Sequence, residues 1–150
     1  MCFSSSYHVN MPSSTTDKIR NSQCTKSKLM LGCRRKSSPN TILTLAWASR
    51  SCVFYDAGRN RSEVRSCEGT DWYFSNSYSW GFAKQGDSVF RGTCDSRTTE
   101  CNDCRLCWHT QGTPGYRCGS AMGLNNPFSS FYERVIFQTG KKKIFRIFQL

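Results

Sequence analysis

The segment Ile42-Leu43-Thr44-Leu45-Ala46-Trp47-Ala48-Ser49 carries the clearest structural pattern in the chain. Its large apolar side chains, those of Leu43, Leu45 and Trp47, fall on one parity, and smaller side chains fall on the other. Successive side chains of a strand point to opposite faces of a sheet, so this alternation predicts a strand over Ile42–Ser49. A bulky face and a small face suit a strand that packs against two different layers.

Other strand-like runs lie on both sides of this segment and are bounded by turn-forming residues. They are residues 28–32, 52–55, 72–74, 78–82, 88–91, 105–110 and 132–138. Turn chemistry such as Asp56-Ala57-Gly58 separates them. No segment combines a sustained helical period with capping residues. The pattern predicts an all-β fold, either a small disulfide-stapled sandwich or a partly open barrel with long loops.

Ten cysteines lie at positions 2, 24, 33, 52, 67, 94, 101, 104, 107 and 118. A small chain this rich in cysteine usually belongs to an oxidising compartment, where disulfides compensate for a limited core. Cys52 and Cys67 enclose a polar, Arg-rich loop, and Cys94 and Cys107 enclose a loop rich in Asp, Thr and Asn. We predict these two local disulfides. The connectivity of the other cysteines does not follow from the sequence.

A cluster of cysteines near His109 supports a metal site as an alternative. Its candidate ligands are Cys101, Cys104, Cys107 and His109. Thiolates and an imidazole can bind zinc, and a C-x2-C-x2-C run is one part of some iron–sulfur sites. Because no second close cysteine pair follows, disulfides remain the preferred interpretation and no cofactor is expected.

Positive charge is concentrated in the first part of the chain. The protein has 21 basic and 10 acidic residues, a net charge of +11. Residues 1–66 hold 11 basic and 3 acidic residues, which gives +8. A surface of this kind attracts polyanions such as nucleic acid, acidic glycan or anionic lipid. The neighbours Glu133 and Arg134 are predicted to be a solvated pair on the last strand.

Composition divides the chain into three parts. Residues 1–23 are rich in Ser and Thr and are predicted to form a mobile leader. Residues 24–140 form the predicted cysteine-rich β domain, and residues 141–150 form a basic, apolar tail that could contact an anionic membrane. No apolar signal-peptide segment is visible near Met1, so secretion is inferred from the cysteines alone.

The aromatic stretch 72–82 is the candidate ligand site. Amphipathic aromatic side chains can stack on sugar faces or on bases, although the same residues could form a core. The candidate binding residues are Trp72, Tyr73, Asn76, Tyr78 and Trp80, together with the basic run Arg34, Arg35 and Lys36.

These observations predict a non-catalytic extracellular binding module whose ligand is a glycan or an acidic cell-surface group. No nucleophile, base and orienting group assemble in the sequence, so catalysis is not expected. One alternative is an intracellular, metal-stapled nucleic-acid-binding protein, favoured by the net charge and the missing signal peptide. Another is a host-defence or toxin-like protein that acts on membranes.

Overall fold

The structure is a computed structural model that describes residues 1–7, 11–56, 63–75, 78–89, 94–95, 97, 101–110, 115–124 and 131–139. The strands of this part of the chain are β1 (Phe3–Ser6), β2 (Lys28–Arg35), β3 (Ile42–Ser49), β4 (Arg65–Cys67), β5 (Thr70–Phe74), β6 (Ser79–Lys84), β7 (Leu106–His109), β8 (Gly115–Cys118), β9 (Ala121–Leu124) and β10 (Tyr132–Thr139). The short helices are α1 (Ser13–Lys18) and α2 (Arg50–Val53), with a π-helical turn at Ile19–Gln23 and a 3-10 turn at Asn102–Cys104. The predicted all-β, disulfide-stapled fold class is confirmed.

The strands form two antiparallel sheets. The first sheet has the order β1-β10-β2-β3, so strands from opposite ends of the described chain are neighbours. The second sheet has the order β4-β5-β6-β7-β8-β9, in which each strand pairs with the next one in sequence. The second sheet therefore forms from local pairings, whereas the first requires long-range contacts.

Strand β3 has the bounds that its alternation predicts. Its small side chains face the interior, where Ala48 is fully buried and Thr44 is nearly so. The large side chains of β3 form the outer face of the first sheet. Leu43 is one of them and is 42% exposed. Leu29 and Leu31 of β2 lie opposite Ala48 and Ala46 and fill the interior beside them.

Aromatic side chains form most of the core between the sheets. Trp72, Trp80 and Trp108 are fully buried. The ring centroids of Trp80 and Trp108 lie 4.8 Å apart, and those of Trp72 and Phe82 lie 5.2 Å apart. Tilted ring pairs at these distances add to the free energy gained from burial itself.

Five disulfides use all ten cysteines. They are Cys2–Cys24, Cys33–Cys118, Cys52–Cys67, Cys94–Cys107 and Cys101–Cys104. The two predicted local pairs are confirmed. Cys33–Cys118 joins β2 to β8 and so ties one sheet to the other. Five disulfides in so small a domain indicate an oxidising, extracellular-type environment.

The proposed metal ligands are corrected by this pairing. Cys101 is bonded to Cys104, and Cys107 is bonded to Cys94. A disulfide sulfur carries no thiolate, so none of these residues can join His109 as a zinc or iron–sulfur ligand.

Residues 1–23 are not a separate leader, which corrects the sequence prediction. Strand β1 pairs with β10 along its whole length, and Cys2 is bonded to Cys24. Tyr7, Met11 and Ile19 are buried in the core. These apolar residues are too widely spaced in the sequence to give a periodic signal. The predicted tail, residues 141–150, lies outside the described residues.

Two further strand predictions differ from the structure. Residues 52–55 begin inside the short helix α2 instead of forming a strand. Cys52 and Val53 are buried there, and the bond between Cys52 and Cys67 holds the helix against β4. Ser88 and Val89 are not in a strand, and the rest of the predicted run 88–91 lies outside the described residues. No helix among the described residues has the length and apolar character needed to span a bilayer.

Candidate functional site

The aromatic stretch predicted to bind ligand supplies core residues instead. Trp72, Tyr73 and Trp80 are fully buried, so a sugar or a base has no access to their rings. Tyr78 is half-buried, and Asn76 lies outside the described residues. The structure therefore corrects the assignment of Trp72, Tyr73 and Trp80 to a binding site.

The surroundings of Trp80 explain its place in the core. Its indole N–H donates to the carbonyl oxygen of Val53 at 3.0 Å, which satisfies its polar atom inside the protein. The ring lies 4.7 Å from that of Phe54 and 5.4 Å from that of Phe74, measured between centroids. Trp80 thus joins helix α2 to the second sheet.

Tyr73 is buried on the other face of the second sheet. Its hydroxyl donates to the carbonyl oxygen of Leu106 at 3.2 Å, and its ring packs against Cys94 and Cys107. The hydroxyl passes over Gly81, where a Cβ atom would lie only 2.8 Å from it and 1.9 Å from the Leu106 oxygen. A glycine is therefore required at this position of β6.

Two buried arginines hold chain segments over this outer face. Nη1 of Arg105 donates to both carboxylate oxygens of Asp95, at 2.9 and 2.8 Å, and to the carbonyl oxygen of Ser88 at 2.8 Å. Nη1 of Arg117 donates to the backbone oxygen of Asp95 at 2.7 Å, and its Nη2 donates to Oδ1 of Asn102 at 2.9 Å. These groups are structural, since they bind the protein's own chain. Their burial is not predictable from the sequence, because nothing in the pattern around an arginine distinguishes a buried one from a surface one.

Arg134 corrects the predicted solvated pair. It is 1% exposed, and its Nη2 donates to the carbonyl oxygen of Ser6 at 2.7 Å. Its guanidinium carbon lies 5.0 Å from the ring centroid of Tyr7 and 5.4 Å from that of Trp108. Burial lowers the pKa of Arg134 to about 10, so the group stays charged at neutral pH and is held by cation–π contacts.

The predicted basic run lies at the surface, next to the start of β10. The backbone N–H of Lys36 donates to the carbonyl oxygen of Phe131 at 2.9 Å. Phe131 is 59% exposed, and the guanidinium of Arg35 lies 5.9 Å from the ring centroid of Tyr132. Arg34, Arg35, Lys36, Phe131 and Tyr132 are called the basic corner below.

The three cations of the basic corner have different roles. Nε of Arg34 donates to Oε2 of Glu133 at 2.9 Å, and its Nη1 donates to the carbonyl oxygen of Pro39 at 2.8 Å. Arg35 and Lys36 are exposed, and among the described residues neither forms an ion pair with a carboxylate. Arg34 therefore supports the corner, while Arg35 and Lys36 present positive charge to solution.

The carboxylate of Glu133 keeps Arg34 in place. Partial burial raises the pKa of Glu133. Hydrogen bonds from Arg34 and Ser4, together with the charges of Arg34 and Lys36, lower this pKa by more than burial raises it. The net result is a pKa below the usual value for glutamate. The ion pair is therefore fully formed at neutral pH.

Acid should weaken this ion pair. Because folding lowers the pKa of Glu133, the pair stabilises the fold above the usual glutamate pKa of about 4.3, and this contribution is lost as pH falls through the folded value. We expect Glu133→Gln to remove a contribution of no more than about 1 kcal/mol at pH 7 and to change stability little at pH 2. Urea unfolding of both proteins at each pH measures the difference, and an equal effect of the substitution at both pH values would contradict it.

The basic corner can attract an anion and offer it an aromatic face. Its cations are evident from the sequence, but Phe131 is not, because only the pairing of the strands places this isolated phenylalanine beside Lys36. The chain as a whole matches no protein-family model, no curated protein and no solved structure.

Proposed function

We propose that this protein is a non-catalytic, secreted binding module that takes an acidic or sulfated glycan at the basic corner. The observation that carries the proposal is the position of exposed Arg35 and Lys36 beside Phe131, whose side chain is 59% exposed. Exposed basic groups attract sulfate and carboxylate groups, and an exposed aromatic ring can pack against the apolar face of a sugar.

The aromatic part of the corner is supported from beneath. The ring of Tyr132 stacks on that of Tyr116 with a centroid distance of 5.4 Å and an interplanar angle of 27°. Tyr116 is buried in β8, so Tyr132 and the Arg35 guanidinium near it rest on a fixed base. A surface that is already ordered loses less conformational entropy when a ligand binds.

The disulfides favour an extracellular ligand over an intracellular one. The net charge of +11 still supports the alternative of a nucleic-acid-binding protein. A metal site formed by cysteines is not compatible with the structure, because all ten cysteines are paired in disulfides. The membrane-active alternative depends on residues 141–150, which lie outside the described part of the chain.

Removing the two exposed charges should weaken glycan binding. We expect Arg35→Ala with Lys36→Ala to lower the affinity for heparin, a sulfated polysaccharide, by about 2- to 30-fold, since each exposed ion pair contributes about 0.2–1 kcal/mol. The affinity is measured by titration calorimetry at low and physiological salt. Lys26→Ala with Lys84→Ala is the matched control, because both lysines are exposed, lie elsewhere, and give the same change in net charge.

The control distinguishes a site from a general charge effect. Equal losses in the two double variants would contradict binding at the basic corner. Phe131→Ala should reduce affinity at every salt concentration, since it removes an uncharged contact. Binding to single-stranded DNA with none to heparin would favour the nucleic-acid alternative instead.

A further inference from the structure

We infer that the Cys101–Cys104 disulfide is a thiol-exchange site, which an external thiol opens while the other four disulfides stay closed. The inference is independent of the proposed binding function. Two observations support it, the exposure of the two cysteines and the size of the loop that they close.

Exposure separates this disulfide from the others. Cys101 and Cys104 are both half-buried, so neither side of this disulfide is enclosed in the core. Each of the other four disulfides contains at least one buried cysteine. These buried residues are Cys24, Cys33, Cys52, Cys94, Cys107 and Cys118.

A buried cysteine is also a poor leaving group. Attack on the half-buried Cys2 would expel Cys24 as a thiolate inside the core, and attack on Cys67 would expel Cys52 in the same way. Burial in apolar surroundings raises the pKa of a thiol, and a sulfur with a higher pKa leaves more slowly. Only the pair in the 3-10 turn avoids this penalty at both sulfurs.

The closed loop is short and local. Cys101 and Cys104 are three residues apart, whereas the other disulfides join residues separated by 13 to 85 positions. A disulfide across a short loop restricts the unfolded chain less than one across a long loop. The turn is also held by the bond from Arg117 to Asn102, so the fold should survive the opening of this disulfide.

The exchange reaction is balanced by a dithiol reductant. One thiolate of the reductant attacks the sulfur of one cysteine, the bond between the two cysteine sulfurs breaks, and its electron pair leaves with the other sulfur, which takes up a proton. The second thiolate of the reductant then attacks the mixed disulfide and releases the first cysteine. The protein gains two electrons and two protons, and the dithiol becomes a disulfide.

Timed reduction of the native protein tests the inference. Dithiothreitol is added without denaturant, free thiols are blocked with iodoacetamide at intervals, and the modified peptides are identified by mass spectrometry. We expect Cys101 and Cys104 to be modified about tenfold sooner than any other cysteine, while circular dichroism is unchanged. Earlier modification of another pair, or modification of all ten cysteines together with loss of structure, would overturn the inference.

A double variant provides the control. Cys101→Ser with Cys104→Ser should lose the early modification and keep the slow modification of the other eight cysteines. Early modification that persists in this variant at another pair would also overturn the inference. Reduction of the native protein tests the inference even if the double variant fails to fold, because it requires no substitution.

Discussion

Replacing Trp80 with alanine should lower the free energy of unfolding by about 3–5 kcal/mol. The side chain is fully buried and lies between the rings of Phe54, Phe74 and Trp108. Its removal leaves a cavity and also leaves the carbonyl oxygen of Val53 without the indole N–H that donates to it at 3.0 Å. Both effects destabilise the native state.

A thermal melt measures this effect directly. For a chain of this size, a loss of 3–5 kcal/mol lowers Tm by about 6–20 °C. Leu43→Ala is the control, because Leu43 is 42% exposed on the outer face of the first sheet and should cost about 0.5–1 kcal/mol at most. If the two variants had the same Tm and only Trp80→Ala lost glycan binding, Trp80 would be a ligand-binding residue and not a core residue.

Trp80 also marks the limit of what the sequence predicts. Neighbouring residues of a strand lie on opposite faces of a sheet, and here Trp72 and Trp80 face the space between the sheets while Tyr73 faces away. Parity does not reveal whether the second face is covered. That face is covered because Arg105 and the Cys94–Cys107 disulfide hold distant chain segments against it, and those contacts depend on the complete fold.

Local features are predictable from the sequence, and long-range ones are not. The alternation of residues Ile42–Ser49 predicts the bounds of β3, and the positions of two cysteine pairs that close short polar loops predict their bonds. Strand β1 is not predicted from the sequence, because its residues, Phe-Ser-Ser-Ser, include one apolar side chain. Its strand conformation depends on pairing with β10.

The candidate site also combines features that the sequence predicts with features that depend on long-range contacts. The charge of Arg34, Arg35 and Lys36 is evident from the sequence, but their different roles are not. Arg34 is engaged by Glu133, which is 99 residues away in the chain, and the exposed Phe131 is brought beside Lys36 by the pairing of β2 with β10. A binding surface that combines distant residues becomes visible only when the strand register is known.

Removing the disulfide between the sheets should have the other large effect. In the chain-entropy model, a bond that joins residues 85 positions apart stabilises the fold by about 4–5 kcal/mol. Cys33→Ala with Cys118→Ala removes this restriction on the unfolded chain and also removes two buried sulfur atoms from the contact between the sheets. The expected loss is a large part of the total stability of about 5–15 kcal/mol that is usual for a domain.

Urea unfolding without reductant tests this prediction, because the other four disulfides stay intact. Cys52→Ala with Cys67→Ala is the matched control, since its separation of 15 residues corresponds to about 3 kcal/mol. The variant lacking Cys33–Cys118 should therefore have the lower midpoint of the two. A higher midpoint would mean that the core between the sheets, built on Trp72, Trp80 and Trp108, fixes their relative position without the disulfide. The larger effect is expected because the two sheets fold from different parts of the chain, and this disulfide connects them covalently even in the unfolded state.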